Sequence, residues 1–290
     1  MTTSRTAIVT GANQGIGRAL VAGLAARLGP TDLVLLTGRD PGRVAEAAES
    51  ILADPATVSQ VQARVLDVTD ADAVAALAAE LGAVDVVISN AGARISPDRS
   101  QAEQADQFIA VANGGTSAVL RSFGPILRAG GRLLVVASSM GTLGRLPAAL
   151  HPLFADAGLD QVEAVVESWR TAIHQGTADR EGWPRWINVP SKVAQVAAVR
   201  AVAAERRPAD LADGTLIASV CPGLVDTEAS RPWFDDFSQA LTPAQAAKPI
   251  LDLVLAEEID AAQYGELIRF GEVLPWLGGT PPEAQERNLS

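Results

Sequence analysis

Thiols, imidazoles and phenols are nearly missing from this chain, which has one cysteine, two histidines and one tyrosine among 290 residues. The single thiol, Cys221, excludes an intrachain disulfide and points to a reducing, cytoplasmic setting. So few cysteines and histidines leave no cluster for a metal, and none is expected. No uninterrupted apolar run is long enough to cross a bilayer, so no membrane role is expected. Met1-Thr2-Thr3-Ser4-Arg5 runs straight into an apolar strand, which leaves no room for a signal peptide. Lysine and arginine (23) are outnumbered by aspartate and glutamate (34), and a net charge of −11 repels nucleic-acid phosphates. Local basic residues can still hold a cofactor phosphate. At 48% hydrophobic residues the chain is long enough for one large α/β core, and an enzyme-like domain with a small-molecule substrate is expected.

What is present is organised around Thr10-Gly11-Ala12-Asn13-Gln14-Gly15-Ile16-Gly17. The apolar run Thr6-Ala7-Ile8-Val9 precedes it, and an alanine- and leucine-rich helix over 18–28 follows. In a strand–turn–helix unit, glycines let the chain turn sharply and let backbone N–H groups approach a pyrophosphate at the positive end of the helix. Such a turn alone also arises by chance at the end of an apolar strand. Here it opens an alternation of strands (32–37, 58–66, 84–89, 132–137, 214–220, 264–270) with helices, which predicts βαβ units and a parallel sheet. Asp70 and Thr242 read as helix N-caps, the latter with Pro243 in the first turn, and Ser191 to Glu205 reads as a helix. The second strand ends at Gly38-Arg39-Asp40. An acidic residue at such a corner binds a ribose 2′-hydroxyl, whereas an arginine pairs with a 2′-phosphate. With glycine at 38 and Arg39 beside it, the corner favours NADP(H); the bland reading is a solvated surface arginine.

Taken together, the glycine turn, Asp67-Val68, Asn90-Ala91-Gly92, Asn113, Ser138-Ser139, Lys192 and Pro222-Gly223 resemble the short-chain dehydrogenases/reductases in order and spacing over nearly the whole chain. Within that family the resemblance is strongest to the monomeric carbonyl reductase branch. It is carried by the Thr-Gly-Ala-Asn-x-Gly-Ile-Gly turn at 10–17, by Glu181-Gly182-Trp183-Pro184 and by Cys221-Pro222-Gly223-Leu224-Val225-Asp226-Thr227. The resemblance implies a Rossmann-type doubly wound parallel sheet of about seven strands with helices on both faces, forming one NADP(H)-binding domain over 1–290. By the same resemblance, Gly11, Asn13, Gln14, Gly15, Ile16 and Gly17 belong to the cofactor turn, Asp67 and Val68 hold the adenine, and Asn90, Ala91 and Gly92 line its ribose. Pro222, Gly223, Val225 and Thr227 would hold the nicotinamide end. Ser139 would bind substrate, and Asn113 would hold a proton-relay water at a break in the helix over 101–128; an ordinary helix–helix joint is the alternative there.

The segment 141–185 is an insertion relative to a minimal fold of that family. Asp160-x-x-Glu163 reads as a capping box, and Val162, Val165, Val166, Trp169 and Ile173 fall on one helical face. The resemblance places this helix over the surface other members use to oligomerise, so a monomer is expected. His151 and His174 lie in it outside any Ser/His/Asp pattern and read as packing or surface residues. Trp233, Phe234 and Phe237 read equally as a lid over a pocket or as plain packing.

The family's catalytic pattern is tyrosine, three residues, lysine. Here the register gives Asn188-Val189-Pro190-Ser191-Lys192, and the only tyrosine, Tyr264, lies far away in the last strand. A carboxamide donates a hydrogen bond but gives up no proton at useful pH, and losing a positioned general acid typically costs about 10²–10⁴-fold in rate. Lys192 can still hold the nicotinamide ribose. Three readings follow. The chain is an NADPH-dependent reductase of a small carbonyl, imine or iminium, or enone that needs no tyrosine. It is a non-redox catalyst or scaffold that keeps NADP(H) as a ligand. Or it is an inactivated carbonyl reductase variant with asparagine in place of tyrosine.

Overall fold

The structure, a computed structural model, describes residues 4–278. Residues 1–3, on which the leaderless reading rests, and 279–290, the end of the expected 1–290 domain, lie outside the described residues. Seven parallel strands are β1 (Thr6–Val9), β2 (Leu33–Gly38), β3 (Gln60–Val65), β4 (Val84–Ser89), β5 (Leu127–Val136), β6 (Leu216–Cys221) and β7 (Leu267–Arg269). They stand in the order β3-β2-β1-β4-β5-β6-β7, and an eighth strand, β8 (Glu272–Leu274), closes the edge antiparallel to β7. The expectation of about seven strands therefore falls one short. The run 264–270 is not one strand: it gives three residues of β7 and then turns at Phe270 and Gly271, whose φ values of 52° and 89° suit a tight hairpin. Sequence order reverses between β1 and β4, so the crevice beyond their carboxyl ends is the ligand position of an open α/β sheet.

The strands read as nearly continuous apolar runs because the sheet is flanked by helices. Ile8, Val34, Leu35, Ile88, Leu133, Leu134 and Ile217 are all fully buried. The helices are α1 (Gly15–Arg27), α2 (Pro41–Leu52), α3 (Ala71–Leu81), α4 (Gln101–Ile109), α5 (Gly115–Phe123), α6 (Leu159–Gln175), α7 (Asn188–Ala212) and α8 (Pro243–Val254). Asp70 caps α3 by accepting from the Ala73 amide at 2.9 Å, and Thr242 caps α8 in a box with Gln245, with Pro243 in the first turn.

Three local expectations are corrected. The helix expected over 101–128 ends at Phe123, with Leu127 and Arg128 already in β5, and it does not break at Asn113; a π turn, Ala110–Gly114, joins α4 to α5 and absorbs the irregularity by widening one turn. Helix α6 is started instead by Gly158, whose amide donates to Gln161 Oε1 at 2.9 Å. Asp160 and Glu163 instead both accept from Arg121 of α5. The helix expected from Ser191 to Glu205 begins at Asn188 and runs to Ala212 through Pro208. The apolar face of α6 is as read: Val162, Val166 and Trp169 are buried, with Val165 and Ile173 partly so. Trp169 stacks on Trp183 (centroids 5.8 Å apart), which meets Phe154 edge-on at 6.4 Å. Among the described residues no helix is long and apolar enough to cross a membrane.

Candidate active site

The first βα turn is tied to the end of β4 through two side chains, Thr10 and Asn90. Thr10 Oγ1 accepts from the Asn90 and Ala91 amides at 2.9 and 3.0 Å, and Asn90 Nδ2 donates to the carbonyls of Thr10 and Gly11 at 3.0 and 3.2 Å. Gly11 and Gly15 have φ of 61° and 55°, a region L side chains rarely adopt. A Cβ on Gly11 would stand 2.7 Å from Ala91 Cα, and one on Gly17 would stand 2.5 Å from the Gly11 carbonyl. The turn therefore sits tight against the end of β4, with α1 packed close behind it. Helix α1 starts at Gln14 with no side-chain cap and no acidic residue in its first turn. An N-terminus with neither suits an anion, and the residues present fit a dinucleotide pyrophosphate.

At the second corner, an added Cβ on Gly38 would meet Val44 Cγ2 at 3.0 Å and Asn13 Oδ1 at 3.2 Å. Position 38 has little room for a carboxylate. Arg39 is exposed beside it. Sequence reading missed Arg43, whose guanidinium reaches back to Gln14 Oε1 from the first turn of α2, where Asp40 caps its amide. Its spacing of four from Arg39, across a cap residue, was the available signal. Beyond β3, Asp67 Oδ1 accepts from Thr69 N and Oγ1, while Val68 is buried so close to Gly115 that a Cβ there would stand 2.7 Å from Val68 Cγ2. Gly92 follows Ala91 in the loop after β4.

After β6 the chain passes Pro222 and Gly223 and folds back so that Val225 bridges Leu241, and Ser230 Oγ donates to the Val225 carbonyl at 2.6 Å and accepts from the Thr227 amide at 3.1 Å. This loop lies over the glycine turn: a Cβ on Gly15 would be 3.7 Å from Thr227 Cγ2. Arg94 ties the two sides of the crevice by pairing with Glu228, with Gln14 Oε1 at 3.4 Å. Trp233 is anchored, its indole donating to the Ile95 carbonyl at 3.1 Å and its ring lying 6.2 Å from Trp186. Phe234 packs edge-on to Phe237 and is exposed.

Helix α7 brings the remaining residues together. Asn188 and Lys192 are one turn apart on the same face. Asn188 is half-buried, and its Nδ2 lies 4.0 Å from Met140 Sδ, a weak acceptor. Ser139 lies on the 3₁₀ turn that follows β5, and its amide donates to Cys221 Sγ at 3.1 Å. A Cβ on Gly141 would stand 2.8 Å from the Lys192 carbonyl, so this turn packs directly on α7. Asn113, buried on the π turn, is engaged twice: Nδ2 donates to the Ser191 carbonyl at 2.9 Å and Oδ1 accepts from Ser191 Oγ at 2.8 Å. Lys192 Nζ donates to Gln195 Oε1 at 2.7 Å. Desolvation by burial, opposed by the Cys221 sulfur, brings the Lys192 ammonium down to about 8.

Tyr264, His151 and His174 make contacts away from this cluster. Tyr264 is buried and donates to Asp210 Oδ2 at 2.6 Å near the far end of α7, and burial first, then that carboxylate, pushes its phenol up. His151 pairs with the Leu146 carbonyl and His174 with Asp106. A concavity of about 530 Å³ lined by Arg145, Leu146, Trp183 and Pro184 involves none of the predicted site residues, so the constellation rather than this hollow defines the site. Among the described residues no group of side chains could hold a metal ion.

A parallel sheet with a glycine turn at its switch point and an Asn/Ser/Lys cluster beside it defines a dinucleotide-binding α/β protein. A family model for short chain dehydrogenases matches residues 5–149, half of the chain, and the chain belongs to that family. It is similar to carbonyl reductase [NADPH] 3 of Mus musculus, with 28% identity over 292 residues covering 94% of this chain and 99% of that one. It is also similar to carbonyl reductase [NADPH] 1 of Sus scrofa, at 27% over 295 residues covering 97% and 96%. The solved structure of salutaridine reductase from Papaver somniferum shares the fold, with a TM-score of 0.75 at 22% identity over 91% of this chain and 99% of that one.

Proposed function

We propose that this chain is an NADP(H)-dependent oxidoreductase whose small organic substrate is a carbonyl, an imine or iminium, or an enone, and that Asn188 occupies the place of the family's catalytic tyrosine. The observation that carries the reading is the pairing of an intact glycine cradle with Lys192 one turn beyond Asn188. The carbonyl reductases to which the chain is similar are named for NADPH, which supports the same cofactor.

NADP(H), when bound, supplies or accepts a hydride. The glycine turn from Gly11 to Gly17 would hold its pyrophosphate, Arg39 its 2′-phosphate with Arg43 alongside, and Asp67, Val68 and Asn90 to Gly92 its adenosine half. Pro222, Gly223, Val225 and Thr227 would border the nicotinamide, and Lys192 its ribose. Ser139 and Asn188 would orient the substrate through hydrogen bonds. An iminium carries its positive charge already and needs no acid. A ketone needs a proton as the alkoxide forms, and Lys192, brought down to about 8, holds a titratable one.

Arg39→Ala should weaken NADPH binding about tenfold or more and leave NADH within twofold, because it deletes a charge-assisted contact to a group NADH lacks. Fluorescence titration of both cofactors with both proteins tests this, and equal losses for the two cofactors would remove the 2′-phosphate assignment.

We infer also that the protein works as a monomer in a reducing compartment. Helix α6 covers its neighbours with Val162, Val166 and Trp169, and its polar side pairs with α4 and α5 through Asp106, Arg121, Asp160, Glu163 and His174. Sedimentation at micromolar concentration should give a single species of 30.0 kDa; a stable dimer would overturn the inference.

A further inference from the structure

We propose that Gln195 is the positioning residue of Lys192, holding its ammonium charged and aimed while itself anchored to the π turn. This deepens the reading of Lys192 as the ribose-holding residue and rests on it. Gln195 lies three residues beyond Lys192 on α7 and is 3% exposed. Its Oε1 accepts from Lys192 Nζ at 2.7 Å. Its Nε2 donates to the Ala112 carbonyl at 2.9 Å and to Thr116 Oγ1 at 2.8 Å, and Thr116 Oγ1 in turn donates to the same carbonyl at 2.6 Å. Every polar atom of the carboxamide is thus engaged, and only one orientation satisfies both ends: the oxygen toward the ammonium, the nitrogen toward the π turn.

The π turn is what makes this anchor available. Where the helix widens, a carbonyl at the seam has room for a donor from outside the helix, and Ala112 takes Gln195 Nε2 besides the Thr116 hydroxyl of its own next turn. Beside it Asn113 clamps Ser191, the residue before Lys192. The junction therefore grips α7 on either side of the lysine, at 191 and at 195. Electrostatically, the Oε1 end of Gln195 opposes the effect of burial. Burial disfavours the ammonium, and an acceptor at 2.7 Å favours it. The other titratable group that faces Lys192 is the Cys221 thiol at the end of β6. Without Gln195 the half-buried lysine would shed its proton more readily and its long side chain would lose its fixed direction, both of which weaken a donor to a ribose hydroxyl.

The chain's lysine content makes a direct test possible. It has two lysines, Lys192 and the exposed Lys248, so lysine-selective ¹³C labelling gives two side-chain resonances, and Lys192→Ala assigns them. The pH titration of the Lys192 resonance in Gln195→Met should move down by about one unit or more, as expected for losing a hydrogen bond to a charged group. NADPH affinity, read by fluorescence, should fall about tenfold at neutral pH, with Lys248 unchanged. Gln195→Glu keeps the acceptor and adds a charge, so it should move the Lys192 midpoint above that of the wild type and provides the decision if the methionine variant does not fold. A lower melting temperature with the midpoint and the NADPH affinity both at wild-type values would show that Gln195 is only structural and would overturn the proposal. So would an unmoved midpoint in Gln195→Glu. The underlying reading fails separately: if Lys192→Ala binds NADPH as tightly as wild type, Lys192 does not hold the cofactor, whatever Gln195 does to its titration.

Discussion

Asn188→Tyr should raise NADPH-dependent reduction of simple ketones by about 10²-fold or more, the lower end of what a positioned general acid contributes. The geometry favours the gain. Position 188 is the first residue of α7, half-buried, with a flexible methionine, Met140, as its neighbour, so a ring can be accommodated by moving that side chain. A phenol there would stand one helical turn from an ammonium brought down to about 8, and a nearby positive charge lowers a phenol toward neutrality. If the natural substrate is an imine or another acceptor that needs no acid, the tyrosine gains nothing for it and removes the carboxamide that orients it. Ketone turnover should then rise while the native reaction stays level or falls. Lys192→Ala should damage both. Initial rates on ketones, enones and cyclic imines, measured for the wild type and Asn188→Tyr, separate the readings. Recovery of the natural activity by the tyrosine variant would identify an inactivated carbonyl reductase. No turnover of any class by either protein would point to a scaffold that merely retains NADP(H).

The largest expected loss of stability lies in the insertion. Trp169→Ala should cost about 3–5 kcal/mol, because it empties a fully buried indole site and breaks its stack on Trp183. The ion pairs on the same helix contribute far less. Arg121 pairs with Asp160 and Glu163 on the protein surface, where such pairs are worth about 0–1 kcal/mol, so Arg121→Ala should scarcely move the midpoint. Urea unfolding of the two variants gives the comparison. A Trp169→Ala loss under about 1 kcal/mol would mean that the helix is held by its charges and not by its apolar face.

The sequence made the local features legible and left the distant ones hidden. The glycine turn and the Asp70 and Thr242 caps were readable because the groups involved lie within a few residues of each other. The same logic misplaced the start of α6. Asp160 and Glu163 have capping-box spacing, but Leu159 must begin the buried stripe, so the cap moves back to Gly158 and the two acids are free to take Arg121. The π turn registers in the sequence only as a break or joint at Asn113. Its explanation is a pair of hydrogen bonds to Ser191, 78 residues away. Gln195 carried no local mark at all, since its meaning lies in Ala112 and Thr116 across a helix interface. The extra strand β8 was missed because three residues, Glu272 to Leu274, are too few to register as a strand.

Because α1 opens with neither a side-chain cap nor an acid, the folded chain gains stability from whatever anion completes that turn. A dinucleotide present at a hundred times its Kd would deepen the native state by about 2.7 kcal/mol and cut the unfolded population about a hundredfold. Cellular proteases act on that population, so cofactor supply, and not only synthesis, would set how long each copy survives. A fall in the NADP(H) pool would then thin the protein out by degradation, with no regulatory domain required.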